Sequence, residues 1–179
     1  SLATAGLIFA SKTSLILLTI SAPIWIPLIL TLSILLKLNQ ERVFYRQSRV
    51  GQFGKVFSII KFCSMIPDRS DQSFVKSKGV KDIRLTRYGW LLRRTSIDEL
   101  PQLWNVIKGE MSLVGPRPEL IEVVAQNYES RHWKRSLIKP GLTGLWQIYG
   151  RKQPIHDHLK YDFFYLKNRG ILFDLYIIV

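Results

Sequence analysis

The sequence predicts a mostly helical α+β protein. An N-terminal helix inserted in a membrane precedes a small domain with a short β-hairpin and amphipathic interfacial helices. Three observations lead there. Residues 13–36 contain no charged side chain, whereas residues 38–179 carry all 13 acids and 24 of the 26 bases. Two short β-prone runs, 43–45 and 56–60, flank a glycine-containing turn. Beyond residue 85, apolar side chains return mostly at helical spacing. The expected division is a membrane helix over 1–40 and a cytoplasmic-face domain over 41–179.

As a helix, the 24 residues from 13 to 36 would reach about 36 Å, enough to cross the hydrocarbon core of a bilayer. The run lacks a basic leader and is too long for the apolar core of a signal peptide. Pro23 and Pro27 sit in its middle, with Ser21 just ahead. Each proline removes a backbone donor and crowds the preceding turn. Two geometries fit: a kinked helix that spans, or a re-entrant helix that breaks at the prolines and leaves on the face it entered. Lys37, Arg42, Arg46, Arg49, Lys55 and Lys61 follow closely, which sets the next domain on the cytoplasmic side. The chain begins at Ser1 and stops inside an apolar run, so a fragment of a longer protein is expected.

The remaining elements follow in order. Val43–Tyr45 and Val56–Ile60 read as paired strands joined across Arg49–Gly54. Residues 66–82 are polar and read as an exposed loop. Thr86–Arg94 reads as a short helix with Tyr88, Leu91 and Leu92 on one side. Leu100, Leu103, Trp104 and Ile107 mark a second helix, which Gly109 ends. Glu119–Ser136 reads as a third, with Ile121, Val124, Ala125 and Tyr128 on its apolar side. The glycine-punctuated stretch 140–150 reads as extended. His156–Asn168 and Ile171–Val179 read as amphipathic helices, whose aromatic side chains suit either a core or a membrane interface.

Charge narrows the partners. With 26 bases against 13 acids the net charge is +13, which favours polyanions: nucleic acid, anionic lipid or a phosphorylated substrate. A hydrophobic content of 47% excludes a disordered chain. The single cysteine, Cys63, excludes a disulfide framework and a cysteine-based zinc site, and burial is expected for it. His132, His156 and His158 lack metal-ligand spacing and read as surface residues.

Asp98-Glu99 is the one adjacent acid pair in the chain. Pro101 is comfortable only in the first turn of a helix, so Asp98 falls at or just before a helix start, beside unpaired amides. A carboxylate there can cap the helix and complement its dipole. It can also serve as a nucleophile toward phosphorus, a base or a magnesium ligand. Gly115-Pro116-Arg117-Pro118 is a stiff turn presenting one arginine, suited either to bidentate phosphate binding or to a solvated connector. Pro140–Gln147 offers two glycines where backbone can approach a ligand, or a tight turn feeding a buried strand.

Five segments recur in a specific order: Val43-Phe44-Tyr45-Arg46-Gln47 with Arg49-Val50-Gly51; Lys61-Phe62; Leu92 to Gln102 around Asp98-Glu99; Gly109 to Pro118; and Lys139 to Gly144. In this order and spacing the chain resembles the bacterial sugar transferases that move a sugar-1-phosphate onto polyprenyl phosphate, the monotopic phosphoglycosyl transferases. The resemblance implies that Asp98 attacks the β-phosphate of a UDP-sugar, expels UMP and holds the phosphosugar covalently until polyprenyl phosphate takes it. Glu99 would act as base or orient the phosphate, and Mg²⁺ would be held by Asp98 and Glu99. Arg117, between Pro116 and Pro118, would bind phosphate, with Arg93 and Lys61 as supporting cations. A re-entrant helix broken at a Ser-Pro pair is implied, with Ser21, Pro23 and Pro27 as the candidates. So are a lipid bilayer partner, the cytoplasmic face of a bacterial inner membrane, and no nucleic-acid partner.

Two other classes compete. One is a membrane-anchored basic module that binds anionic lipid or nucleic acid without chemistry; the other is a glycosyltransferase that releases UDP. Asp98-Glu99 discriminates against the first, because a polyanion-binding surface has no use for an acid pair.

Overall fold

The computed structural model describes residues 2–39, 42–65, 85–150, 154 and 159–178, with the side chains of the first helix described from Ser14. The expected loop at 66–82 lies outside the described residues, as do His156 and His158.

The apolar run forms one helix, α1 (Leu2–Asn39), and the break expected at Ser21, Pro23 or Pro27 is not seen, since the helix continues through both prolines. Its hydroxyls bond back along the helix: Thr19 to the Leu15 carbonyl at 2.9 Å, Ser21 to that of Leu17 at 2.7 Å and Ser33 to that of Ile29 at 2.7 Å. Such back-bonding satisfies each hydroxyl internally and favours local bending. Ile20, Ile24 and Leu38 are largely exposed, and Ser14–Asn39 is long and apolar enough to cross a membrane.

Strands β1 (Phe44–Val50) and β2 (Val56–Phe62) follow. Their five-residue connection allows only antiparallel pairing, and Gly51 N–H donates to the Lys55 carbonyl at 2.8 Å. The first strand runs further than its apolar residues indicate. Arg46, Gln47, Ser48 and Arg49 continue it, because a two-stranded sheet leaves many positions facing solvent. After α2 (Gly89–Arg94) and a 3₁₀ turn (Ile97–Gln102) comes α3 (Leu103–Ile107). Gly109 ends this helix at φ 77, as its position predicts.

Next are β3 (Ser112–Val114), α4 (Ile121–Asn127), a 3₁₀ turn (His132–Leu137), β4 (Gly141–Thr143), α5 (Leu145–Tyr149), α6 (Leu159–Asn168) and α7 (Ile171–Ile178). Three expectations are corrected here. The helix expected over 119–136 is two pieces, parted where Tyr128 turns extended and brings its ring onto His132 at 5.2 Å. His132 is buried rather than on the surface, and its Nδ1 accepts the Glu129 N–H at 2.9 Å. Residues 140–150 are extended only over β4, and Leu145–Tyr149 are helical.

The chain divides into two packing units. The first joins Ser1–Ala22, Gln47–Ile59 and Gln102–Val179. Its core is Val114, Ile138, Leu145, Tyr165 and Ile177, and β3 pairs parallel to β4 in the register Ser112 to Gly141 and Val114 to Thr143. Helix α1 is tied into this unit by a buried contact of 3.0 Å between the hydroxyls of Ser14 and Ser112. The second joins Pro23–Arg46 and Ile60–Pro101, around Leu36, Phe62 and Leu92. Cys63 is buried there as expected, its thiol donating to the Met65 carbonyl at 3.2 Å.

Candidate active site

The acid pair stands on a sharp change of direction. The main chain of α2 ends with Thr95 N–H on the Leu91 carbonyl, and Ser96 then takes a left-handed conformation at φ 58, where glycine is usual. Glu99 N–H closes the next turn on the Ser96 carbonyl at 3.1 Å. Asp98 is therefore the second residue of the 3₁₀ turn, and both acids lie in its first turn. The apolar neighbours fix the orientation: Ile97 and Leu100, three residues apart, pack onto the Leu36–Phe62–Leu92 core, and Asp98 and Glu99 are left half-buried.

Lys61 reaches the pair from β2, its Nζ 2.6 Å from Glu99 Oε1. Arg93, in α2, is half-buried with its guanidinium bonded to the Met65 sulfur. Asp98, Glu99, Lys61 and Arg93 all belong to one packing unit, and of these Lys61 and Glu99 are in direct contact. Among the described residues no three acidic, histidine or cysteine side chains cluster as a ready-made metal cage. Two adjacent carboxylates fit a different kind of site, since Mg²⁺ is commonly held by one or two carboxylates together with substrate phosphates.

The proline turn belongs to the other packing unit, where it follows β3. It opens at a close approach of backbones: a Cβ on Gly141 would lie 2.1 Å from Gly115 N. Prolines 116 and 118 have no N–H to offer, so beyond the Gly115 N–H, which bonds to the Thr143 carbonyl at 3.0 Å, the turn is held by its carbonyls. Pro116 accepts from Gly141 N–H at 2.9 Å, Arg117 from Arg135 Nη2 at 2.7 Å and Pro118 from Arg49 Nη1 at 3.4 Å. Arg117 is half-buried between two buried prolines, and with Pro116, Pro118, Tyr128 and Arg135 it lines a small surface hollow.

Arg135 has no counterpart in the sequence reading. Its Nε donates to Asp162 Oδ2 at 2.7 Å, and its Nη1 to Glu119 Oε2 at 3.2 Å and to the Tyr128 hydroxyl. Burial works against its charge, but Asp162, Tyr128 and Glu119 outweigh that cost and raise its pKa above the usual guanidinium value. Burial also drives the Tyr128 phenol well above its ordinary range, against the pull of Arg135. Nothing in the sequence separates Arg135 from Lys134 beside it; the 3₁₀ turn alone points one inward and leaves the other exposed.

The family described as bacterial sugar transferase matches residues 7–179. The chain belongs to the bacterial sugar transferase family. Its relatives include the UDP-galactose-lipid carrier transferase of Erwinia amylovora, 38% identical over 75% of this chain and 31% of that protein. The UDP-glucose:undecaprenyl-phosphate glucose-1-phosphate transferase of Klebsiella pneumoniae is 37% identical over 93% of this chain and 36% of that protein. The UDP-N-acetylgalactosamine-undecaprenyl-phosphate N-acetylgalactosaminephosphotransferase of Aeromonas hydrophila is 37% identical over 89% and 39% respectively. This sugar transferase chain thus spans between three and four tenths of the length of these relatives.

Proposed function

We propose that this sugar transferase moves a sugar-1-phosphate from a UDP-sugar to polyprenyl phosphate, releasing UMP through a covalent intermediate on Asp98. The observation that carries the reading is the acid pair itself, set half-buried on a rigid turn with Lys61 2.6 Å from its second member. A carboxylate oxygen of Asp98 attacks the β-phosphorus, and the bond from that phosphorus to the bridging oxygen breaks. UMP leaves with the bridging oxygen, and the phosphosugar stays on Asp98 as an acyl phosphate. A phosphate oxygen of polyprenyl phosphate then attacks the same phosphorus, and the Asp98 carboxylate is released. Lys61 fixes the orientation of Glu99, which orients the phosphate or takes a proton. Arg93 adds positive charge in the same unit, and Arg117 grips phosphate oxygens from its proline turn. Asp98 and Glu99 would hold Mg²⁺, which when bound offsets negative charge on the diphosphate.

The reading includes a re-entrant α1 in the bacterial inner membrane, with the polar segments on the cytoplasmic face. The exposed apolar stretch Ser14–Asn39 supports membrane insertion. Because α1 stays helical through Pro23 and Pro27, its return to the face it entered would be a bend of this helix near Ser21, Pro23 and Pro27.

The deciding experiment measures nucleotide release by nanodisc-held protein given Mg²⁺, polyprenyl phosphate and UDP-glucose, UDP-galactose or UDP-N-acetylgalactosamine in turn. UMP release that Asp98→Asn abolishes supports the mechanism. UDP release would mean transfer of the sugar alone. Lipid binding that survives removal of Asp98 and Glu99, with no nucleotide release from any donor, would favour a basic membrane-binding module.

A further inference from the structure

Arg135 is 4% exposed and carries a charge into the interior, which costs several kcal/mol unless every donor is satisfied. Neutralising that charge takes one carboxylate, and the structure supplies two, Asp162 at 2.7 Å and Glu119 at 3.2 Å. With the Tyr128 hydroxyl they occupy Nε and Nη1, and they lock the planar fork in one orientation. The remaining nitrogen, Nη2, meets the main-chain carbonyl of Arg117 at 2.7 Å. That carbonyl lies between two prolines, in a turn with no N–H of its own to anchor residues 116 or 118. Of the three consecutive carbonyls, the middle one takes its bond from a buried cation, the strongest type of donor available to it.

We infer that Arg135 is a positioning residue, which through the Nη2–carbonyl bond fixes the Arg117 main chain so that Arg117 is presented to the diphosphate of the donor. The inference rests on the phosphate-binding reading of Arg117 given above. Asp162 and Glu119 act at one remove by orienting Arg135, and Tyr128 completes the ring around it.

The test is a double-mutant cycle on the nanodisc-held chain in Mg²⁺, with UDP, the part common to the donors, as the titrated probe. Arg117→Ala, Arg135→Lys and the double variant are compared by calorimetric Kd and by melting temperature. Lysine keeps the charge but cannot bridge Asp162, Glu119 and the Arg117 carbonyl together. The expected result is a Kd about tenfold weaker for Arg135→Lys, with no more than about twofold further loss when Arg117 is already alanine. If the two losses multiply, or if Arg135→Lys binds UDP normally while Arg117→Ala does not, the positioning role is overturned.

An unchanged Kd for Arg117→Ala alone would show that its phosphate reading fails, and the inference falls with it. If Arg135→Lys does not fold, Tyr128→Phe enters the same cycle. It removes one bond to Arg135, and a loss of about two- to fivefold that vanishes in the Arg117→Ala background is expected. Either no loss or an independent loss in that variant overturns the role.

Discussion

Replacing Gly141 by alanine tests the structural hold on the proline turn directly. The added Cβ would lie 2.1 Å from Gly115 N, 2.4 Å from the Thr143 carbonyl and 2.6 Å from Gly115 Cα. All three are backbone atoms, so no side chain can swing aside to make room. Reaching even a tight 3.0 Å contact requires β3 and β4 to part by about 0.9 Å. Three of the bonds that cross that gap are Ser112 N–H to the Pro140 carbonyl at 2.8 Å, Gly141 N–H to that of Pro116 at 2.9 Å and Gly115 N–H to that of Thr143 at 3.0 Å. At about 1 kcal/mol net for each, their loss costs about 3 kcal/mol, a large part of a stability of about 5–15 kcal/mol. For a chain of this length that lowers Tm by about 6–12 °C. Thermal unfolding of the nanodisc-held protein measures it, with Gly170→Ala as the control, since nothing lies within 4 Å of a Cβ there. A Gly141→Ala protein melting within about 2 °C of wild type would refute the reasoning.

Other expectations follow from single contacts. Asn105 is fully buried and its Nδ2 donates to the Ser58 carbonyl at 2.8 Å and to Glu110 Oε2 at 2.7 Å. Asn105→Ala should cost about 2–4 kcal/mol by stranding both acceptors, and a denaturation midpoint equal to wild type would contradict this. Burial raises the Asp174 carboxyl pKa, opposed by the Tyr165 hydroxyl bond and by Arg169. The folded form therefore holds its proton more tightly than the unfolded chain does, and the stability this supplies fades as pH rises through the folded pKa. Asp174→Asn removes that dependence, so its stability relative to wild type should climb between acidic and neutral pH; a difference that is flat or falls with pH would sink the assignment. Burial also raises the Cys63 thiol pKa, opposed by a backbone hydrogen bond from Met65 and by the charge of Arg42. Maleimide labelling at neutral pH should be about a hundredfold slower in the folded than in the unfolded chain, and equal rates would show the thiol to be accessible.

Much of the architecture is legible in the sequence where one local rule decides it. The apolar run makes α1, the β-prone runs make the hairpin, Gly109 ends α3, and Asp98 falls near the start of a helical element, although Pro101, expected in the first turn, is the fifth residue of a 3₁₀ turn. These follow from charge, periodicity and the geometry of special residues. What escapes is decided at long range. β3 and β4 are three residues each, too short for any periodicity, and they exist because two glycines 26 positions apart let backbones meet. His132 and Arg135 look like surface residues in a basic stretch, yet both are buried because Glu129, Tyr128, Glu119 and Asp162 provide partners that only the fold brings together. The same demand from Arg135 breaks the helix that apolar spacing predicts over 119–136.

The carbonyls of residues 116, 117 and 118 are each grasped by a different stretch of chain: Gly141, Arg135 and Arg49. The tetrapeptide from Gly115 to Pro118 is therefore not a portable unit. Grafted into another scaffold, or made as a cyclic peptide, it would bring its letters and leave its geometry behind, since what defines its shape is written more than sixty residues upstream and some twenty downstream. Transplanting the arginine's pose would mean carrying over β4, the 3₁₀ turn bearing Arg135 and the end of β1 together.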